Sequence, residues 1–385
     1  MSALDIVKDL IGFDTTSRDS NLALIDYAQA LLEKAGARCR RSYDASGAKA
    51  NLFATFGPQN NGIECDGGYV LSGHTDVVPV DGQDWSSDPF KPEVRGSKLF
   101  GRGACDMKGF VGTALAMAPE IGKAKLKRPI HFALSYDEEV GCAGVKGLLD
   151  DLKAQNLKPA LAIIGEPTLM KIVGAHKGGA KLVTKCCGRE HHSSGPEKGA
   201  NAVMMAGEFV ALLDKVWDEL RADVDPRFDP PHSTVQANVI HGGTAVNILA
   251  KEAEVTWEYR ALPDRDPSKI IARVKERAEA EVLPKYKRRA AEAALLTTLH
   301  AQYPGLVMDE ESAAIRLARE LTGANQVEAV AYGTEAGHFQ NYGIPAVICG
   351  PGSIDQAHRP DEFCELSELE ACEAFLRKVI AKACT

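Results

Sequence analysis

Apolar residues first recur at helical spacing. Leu4, Val7, Leu10 and Ile11 share one face of a predicted helix, and Leu24, Tyr27, Ala28, Leu31 and Leu32 repeat the pattern between Asn21 and Lys34. Strands follow at 51–56 and 69–72, and continuous apolar runs of buried-strand length at 129–134 and 161–164, with helices after Lys108 and around 144–153. Such runs suit strands covered on both faces. The alternation predicts an α/β fold with a mainly parallel central sheet flanked by helices, and sites beyond the carboxyl ends of the strands.

From Gly179 the rhythm changes. Strands at 180–186, 234–240, 252–261 and 291–299 and helices at 200–220 and 267–281 give the order βαββαβ, a ferredoxin-like unit large enough to stand alone. The chain therefore reads as a first domain in two parts, 1–178 and 304–385, interrupted by an inserted domain at 179–303. In the second part a helix over 310–321 stops at Gly323, a strand covers 344–349, and a last helix starts on the capping box Ser367-x-x-Glu370.

Composition narrows the function classes. A net charge of -8 over 385 residues argues against nucleic acid or an anionic membrane as partner. The basic runs Lys123–Arg128 and Lys285–Arg289 read as solvated faces. The start lacks a basic segment followed by an apolar run, and no stretch reaches the roughly 20 apolar residues that span a bilayer, so a soluble cytoplasmic protein is expected. The ten cysteines are scattered and form no Cys-x-x-Cys pair, which fits reduced thiols; Cys105 stands beside a candidate ligand.

Five stretches carry candidate chemistry. In Gly73-His74-Thr75-Asp76 an imidazole and a carboxylate two residues apart follow a strand; the carboxylate could hold one ring nitrogen and leave the other for a metal. Gly101-Arg102-Gly103-Ala104-Cys105-Asp106 places one acid before a helix, where it could bridge two cations or cap the helix. Asp137-Glu138-Glu139 sets three acids in a row at a strand end, which calls for solvent or for cations. Glu166 ends another strand before Pro167, and a glycine and proline loop, Gly350 to Glu362, presents His358. Each stretch alone has an ordinary reading as a polar turn. Together they supply nitrogen and oxygen donors that suit zinc, with cobalt or manganese as substitutes.

In this order, with a ferredoxin-like insertion between the fourth and fifth, the five stretches resemble the dinuclear zinc amidohydrolases and peptidases of the M20 family. The resemblance covers nearly the whole chain. It implies that His74 and Glu166 hold one zinc ion, that Glu139 and His358 hold the other, and that Asp106 bridges them. Asp76 would orient His74, a cis peptide would follow Asp106, and Glu138 would be the general acid and base. The family pattern Gly-x-x-Ala-His-Ser aligns with His192 as donor to the oxyanion, although His191 stands where alanine is usual. In dimeric relatives that histidine reaches the partner's active site, which implies a homodimer through the inserted domain. Asn247 and Arg260 match contacts to a substrate carboxylate.

Within the family, Gly333-Thr334-Glu335-Ala336-Gly337-His338-Phe339 looks most like the branch that hydrolyses N2-acetyl-L-ornithine to L-ornithine and acetate in arginine biosynthesis. Succinyl-diaminopimelate desuccinylases typically carry Gly-Thr-Ser-Asp-Gly-Arg-Phe there. Glu335 could favour a side-chain ammonium over an anionic succinyl group. The alternatives are desuccinylation, a broader N-acyl-amino-acid deacylase or peptidase activity, a noncatalytic amino-acid-binding protein, and a structural interaction module.

Overall fold

The computed structural model describes residues 1–60, 63–64 and 66–385. The chain forms two compact units. One comprises Met1–Ala175, Leu306–Ala329 and Thr334–Thr385; the other comprises His176–Gly305 and Val330–Gly333.

The first unit is built on a mixed sheet. Its strands run in the order Arg38–Tyr43, Ala50–Phe56, Ile130–Ser135, Tyr69–His74, Leu161–Pro167, Ala346–Gly350, Val173–His176 and Glu328–Val330. The centre is parallel: Tyr69–His74 pairs with Ile130–Ser135 and with Leu161–Pro167, which in turn pairs with Ala346–Gly350. These four strands are buried throughout, which is why they read as unbroken apolar runs. Arg38–Tyr43 was not predicted. It carries no apolar run and joins the sheet through its backbone, antiparallel to Ala50–Phe56.

Helices Ala3–Ile11 and Lys108–Ala116 help to cover the sheet, with Leu10, Val111 and Phe110 inside. Full burial of such a side chain contributes about 2 kcal/mol. Close approach here needs glycine: a Cβ on Gly165 would lie 1.9 Å from Cγ of Phe110. Gly165 thus lets the Glu166 strand pack directly under the helix that follows Asp106.

The helix ends follow local chemistry with two departures from expectation. Ser2 and Asp5 form a capping box at the first helix, which the sequence reading passed over. The box predicted at Ser367 does not form, because the last helix, Leu366–Ala383, begins directly from the strand Phe363–Glu365 with Glu365 at its cap. The helix Ala313–Thr322 starts on the Ser312 hydroxyl and stops at Gly323, whose φ of 76° suits glycine.

The second unit has the order βαββαβ. Its strands Gly178–Cys187, Thr234–Gly242, Glu252–Ala261 and Ala294–Tyr303 form an antiparallel sheet in which Glu252–Ala261 and Ala294–Tyr303 flank Gly178–Cys187, and Thr234–Gly242 pairs outside Glu252–Ala261. Helix Ala202–Leu220 packs Met205, Phe209, Leu213 and Val216 into this unit's core, where Trp257 donates its indole N–H to Thr184 Oγ1 at 2.9 Å. Among the described residues no cysteine is in a disulfide, and no helix is long and apolar enough to cross a membrane. Cys65 lies outside the described residues.

Candidate metal centre

The five motif residues expected to bind metal meet at the carboxyl ends of the parallel strands of the first unit. His74 Nδ1 lies 2.9 Å from the carbonyl oxygen of Asp76. A carbonyl can only accept, so Nδ1 keeps its proton and Nε2 is the atom left for a metal. Nε2 stands 2.9 Å from Asp106 Oδ1 and 3.6 Å from Glu166 Oε1. On the other side, His358 Nε2 is 2.9 Å from Glu139 Oε2 and 3.3 Å from Asp106 Oδ2. The two oxygens of Asp106 therefore each face a different imidazole. Ligand atoms of His74, Asp106 and Glu139 lie within 4.8 Å of one another, as do those of His74, Glu138 and Glu166.

The peptide bond between Asp106 and Met107 is cis, as the resemblance implied. The loop before it is held by Glu362, a residue without an assigned role in the sequence reading. The Glu362 carboxylate accepts the N–H groups of Gly103, Cys105 and Asp106 at 3.0, 2.8 and 3.0 Å and the Arg102 guanidinium at 2.6 Å. Both members of the ion pair are 1% exposed. Its signal in the sequence is an acid four residues after His358. His358 itself is held at φ 63°, a backbone region that a non-glycine residue rarely adopts and that recurs at functional sites.

The role of Asp76 differs from expectation. Its carboxylate is 3.6 Å from His74 Nδ1, beyond hydrogen-bond range. The main-chain carbonyl orients the imidazole instead. The carboxylate is turned to the acidic tripeptide: Oδ1 accepts the N–H of Glu138 at 3.1 Å, and Oδ2 accepts that of Glu139 at 3.3 Å and the Ser17 hydroxyl at 2.7 Å.

The electrostatics are those of crowded acids with too little positive charge. Burial pushes Glu138 up to about 8 and Glu139 up to about 7, and holds Glu166 well above the usual carboxylate range. Burial also opposes the charge on Asp106, but hydrogen bonds from His358 and His74 outweigh it and hold the carboxyl well below its ordinary value. Hydrogen bonds to Asp106 and Glu139 raise His358 to about 11. Two imidazoles and three carboxylates aimed at one another, with Glu139 and Glu166 driven toward protonation by burial, form a donor set that divalent cations fit.

Glu335 is 1% exposed, at the cap of the helix Ala336–Asn341. Its neighbours are the buried hydroxyls of Ser72 and Ser135, and burial pushes it up to about 7.

The remaining candidates lie on the second unit. Backbone hydrogen bonds from Ser193 to Asn247 and from Leu249 to His191 join the two loops. The N–H of Ser194 donates to His192 Nδ1 at 3.2 Å, so that nitrogen is the acceptor and a neutral ring carries its proton on Nε2. His191 is the reverse: its Nδ1 faces the His192 carbonyl at 3.1 Å and must be the donor. Of the two rings, His192 is the one whose neutral form offers an Nε2 proton. Arg260 is paired with Tyr303 and, at 3.3 Å, with Glu258.

The description "Peptidase family M20/M25/M40" matches residues 70–382. A protein of Myxococcus xanthus named acetylornithine deacetylase is 35% identical over 98% of this chain and 96% of its own. One of the same name from Pasteurella multocida is 32% identical over 100% and 97%. A crystal structure from Bacillus subtilis, described as a dinuclear metal binding peptidase of the M20 family, covers 99% of this chain and 97% of its own with a TM-score of 0.68 at 14% identity. With the profile spanning most of the chain and relatives above 30% identity along its full length, this protein belongs to the M20/M25/M40 peptidase family.

Proposed function

We propose that the protein is a zinc-dependent deacetylase that hydrolyses N2-acetyl-L-ornithine to L-ornithine and acetate, as a cytoplasmic homodimer serving arginine biosynthesis. The observation that carries the chemistry is Asp106, whose two oxygens face the Nε2 atoms of His74 and His358. The substrate follows from the full-length relatives that carry the deacetylase name.

In this reading His74 and Glu166 would hold one zinc ion, Glu139 and His358 would hold the other, and Asp106 would serve both. When bound, such a pair supplies Lewis acidity, making a water acidic near neutral pH and polarising the amide carbonyl. Glu138 takes a proton from the attacking water and returns it to the ornithine α-nitrogen as the C–N bond breaks, so that the water oxygen leaves in acetic acid and the amine leaves neutral; the remaining acid proton then passes to the amine, giving acetate and the ammonium form of ornithine. Asp76 holds Glu138 and Glu139 in register through their backbone N–H groups. His192 offers its Nε2 proton to the oxyanion from the second unit of a partner chain, while Asn247 and Arg260 receive the substrate carboxylate. Glu335, expected to favour a side-chain ammonium, is instead buried against Ser72 and Ser135 and is not assigned a contact with substrate.

Turnover of N2-acetyl-L-ornithine, succinyl-diaminopimelate and N-acetylmethionine by zinc-loaded protein tests the assignment. The acetylornithine rate should dominate. A clear preference for the succinyl substrate overturns it.

A further inference from the structure

Cys142 stands where an L side chain is disfavoured. It caps the helix Ala143–Ala154 at φ 53° and ψ 40°, a left-handed conformation that glycine adopts without steric cost. If only the turn mattered, glycine would serve better. The side chain is instead 1% exposed, and its thiol donates to Glu138 Oε1 at 3.2 Å. The backbone repeats the link, since the N–H groups of Cys142 and Gly141 donate to the Glu138 carbonyl at 2.8 and 2.9 Å.

We infer that Cys142 is a positioning residue for the reaction: its thiol proton occupies Oε1 of Glu138 and fixes the carboxylate plane, leaving Oε2 to meet the attacking water in one orientation. Exchanging the two oxygens of Glu138 would break the 3.2 Å contact to the thiol, so a donor on Oε1 biases the carboxylate toward presenting Oε2. Burial and the neighbouring acids Glu138 and Glu335 keep the thiol protonated, which makes it a donor and not a nucleophile. The inference rests on Glu138 being the general base.

The test uses zinc-loaded Cys142→Ala, Cys142→Gly and Cys142→Ser proteins, measuring kcat and KM for N2-acetyl-L-ornithine, bound zinc and Tm. Loss of one hydrogen bond to a charged group should lower kcat about tenfold in the alanine and glycine proteins, with KM and zinc content unchanged. The serine protein, whose hydroxyl can donate to Oε1, should stay within about threefold of wild type. Glycine is the deciding variant because it suits the left-handed backbone. A wild-type kcat in Cys142→Gly, or a loss of zinc or a rise in KM alongside the loss of rate, overturns the inference. Glu138→Ala measured in parallel separates the two readings: if it remains active, the base assignment itself fails, whereas an inactive Glu138→Ala beside a fully active Cys142→Gly removes only the cysteine.

Discussion

Asp76 accepts the backbone N–H of Glu138, Oδ1 to nitrogen at 3.1 Å, across 62 residues of sequence. Its other oxygen accepts the N–H of Glu139 at 3.3 Å. One carboxylate therefore sets the height of both the proposed base and a proposed metal ligand above the sheet. In Asp76→Asn an amide NH2 would face one of these N–H donors. We expect kcat to fall by about two orders of magnitude, together with weaker binding of one zinc ion, because Glu139 loses its anchor. Zinc titration followed by kcat at saturating metal checks this. Full activity with full occupancy would show that the contact is dispensable.

Metal removal should abolish turnover and also lower stability. Glu138, Glu139 and Glu166 are held up by burial, and cations that bind only the folded centre stabilise the folded chain by mass action. Dialysis against a chelator should eliminate acetylornithine hydrolysis and lower Tm by several degrees, and added zinc or cobalt should restore both. Undiminished activity after exhaustive chelation would falsify the dinuclear reading.

Glu362 offers a test of how the Asp106 loop is built. Removing its carboxylate leaves the buried Arg102 guanidinium without this partner and three backbone N–H groups without theirs. A buried charge stripped of its partner costs about 3–5 kcal/mol. Glu362→Ala should therefore unfold at distinctly lower urea concentration than wild type, whereas Glu362→Gln, which keeps an acceptor oxygen, should lose less. Equal midpoints for wild type and Glu362→Ala would remove Glu362 from this role.

His131 predicts a pH dependence away from the centre. It sits in the sheet, Nδ1 3.0 Å from Thr55 Oγ1 and ring stacked on Phe53 at 5.2 Å, and burial pushes it down to about 4. Its folded value lies below the ordinary 6.5, so the unfolded chain binds the proton first. Its contribution is complete above pH 6.5 and is lost as pH falls toward 4, amounting to about 2 kcal/mol between pH 8 and pH 5. Urea unfolding at those two pH values should show wild type losing that much more stability than His131→Gln. Parallel losses in the two proteins would assign the acid sensitivity elsewhere.

The sequence by itself determined what depends on local spacing and on solvent. Unbroken apolar runs marked the doubly covered strands, the change of rhythm at Gly179 marked the βαββαβ unit, and acids or histidines placed just after strands marked the ends where a site could form. Tertiary structure decided which backbone groups those side chains meet. The turn of Asp76 from His74 to Glu138 and Glu139, the seating of Glu362 on a loop 256 residues away, the burial of Glu335 and the thiol of Cys142 on Glu138 all follow from how strands and loops are stacked. The edge strand Arg38–Tyr43 belongs with them, since pairing with Ala50–Phe56 and not an apolar pattern makes it a strand. Hydrophobic periodicity records which side chains leave water. A hydrogen bond between distant residues leaves no such trace, because its energy depends on a geometry that exists only once the chain is folded.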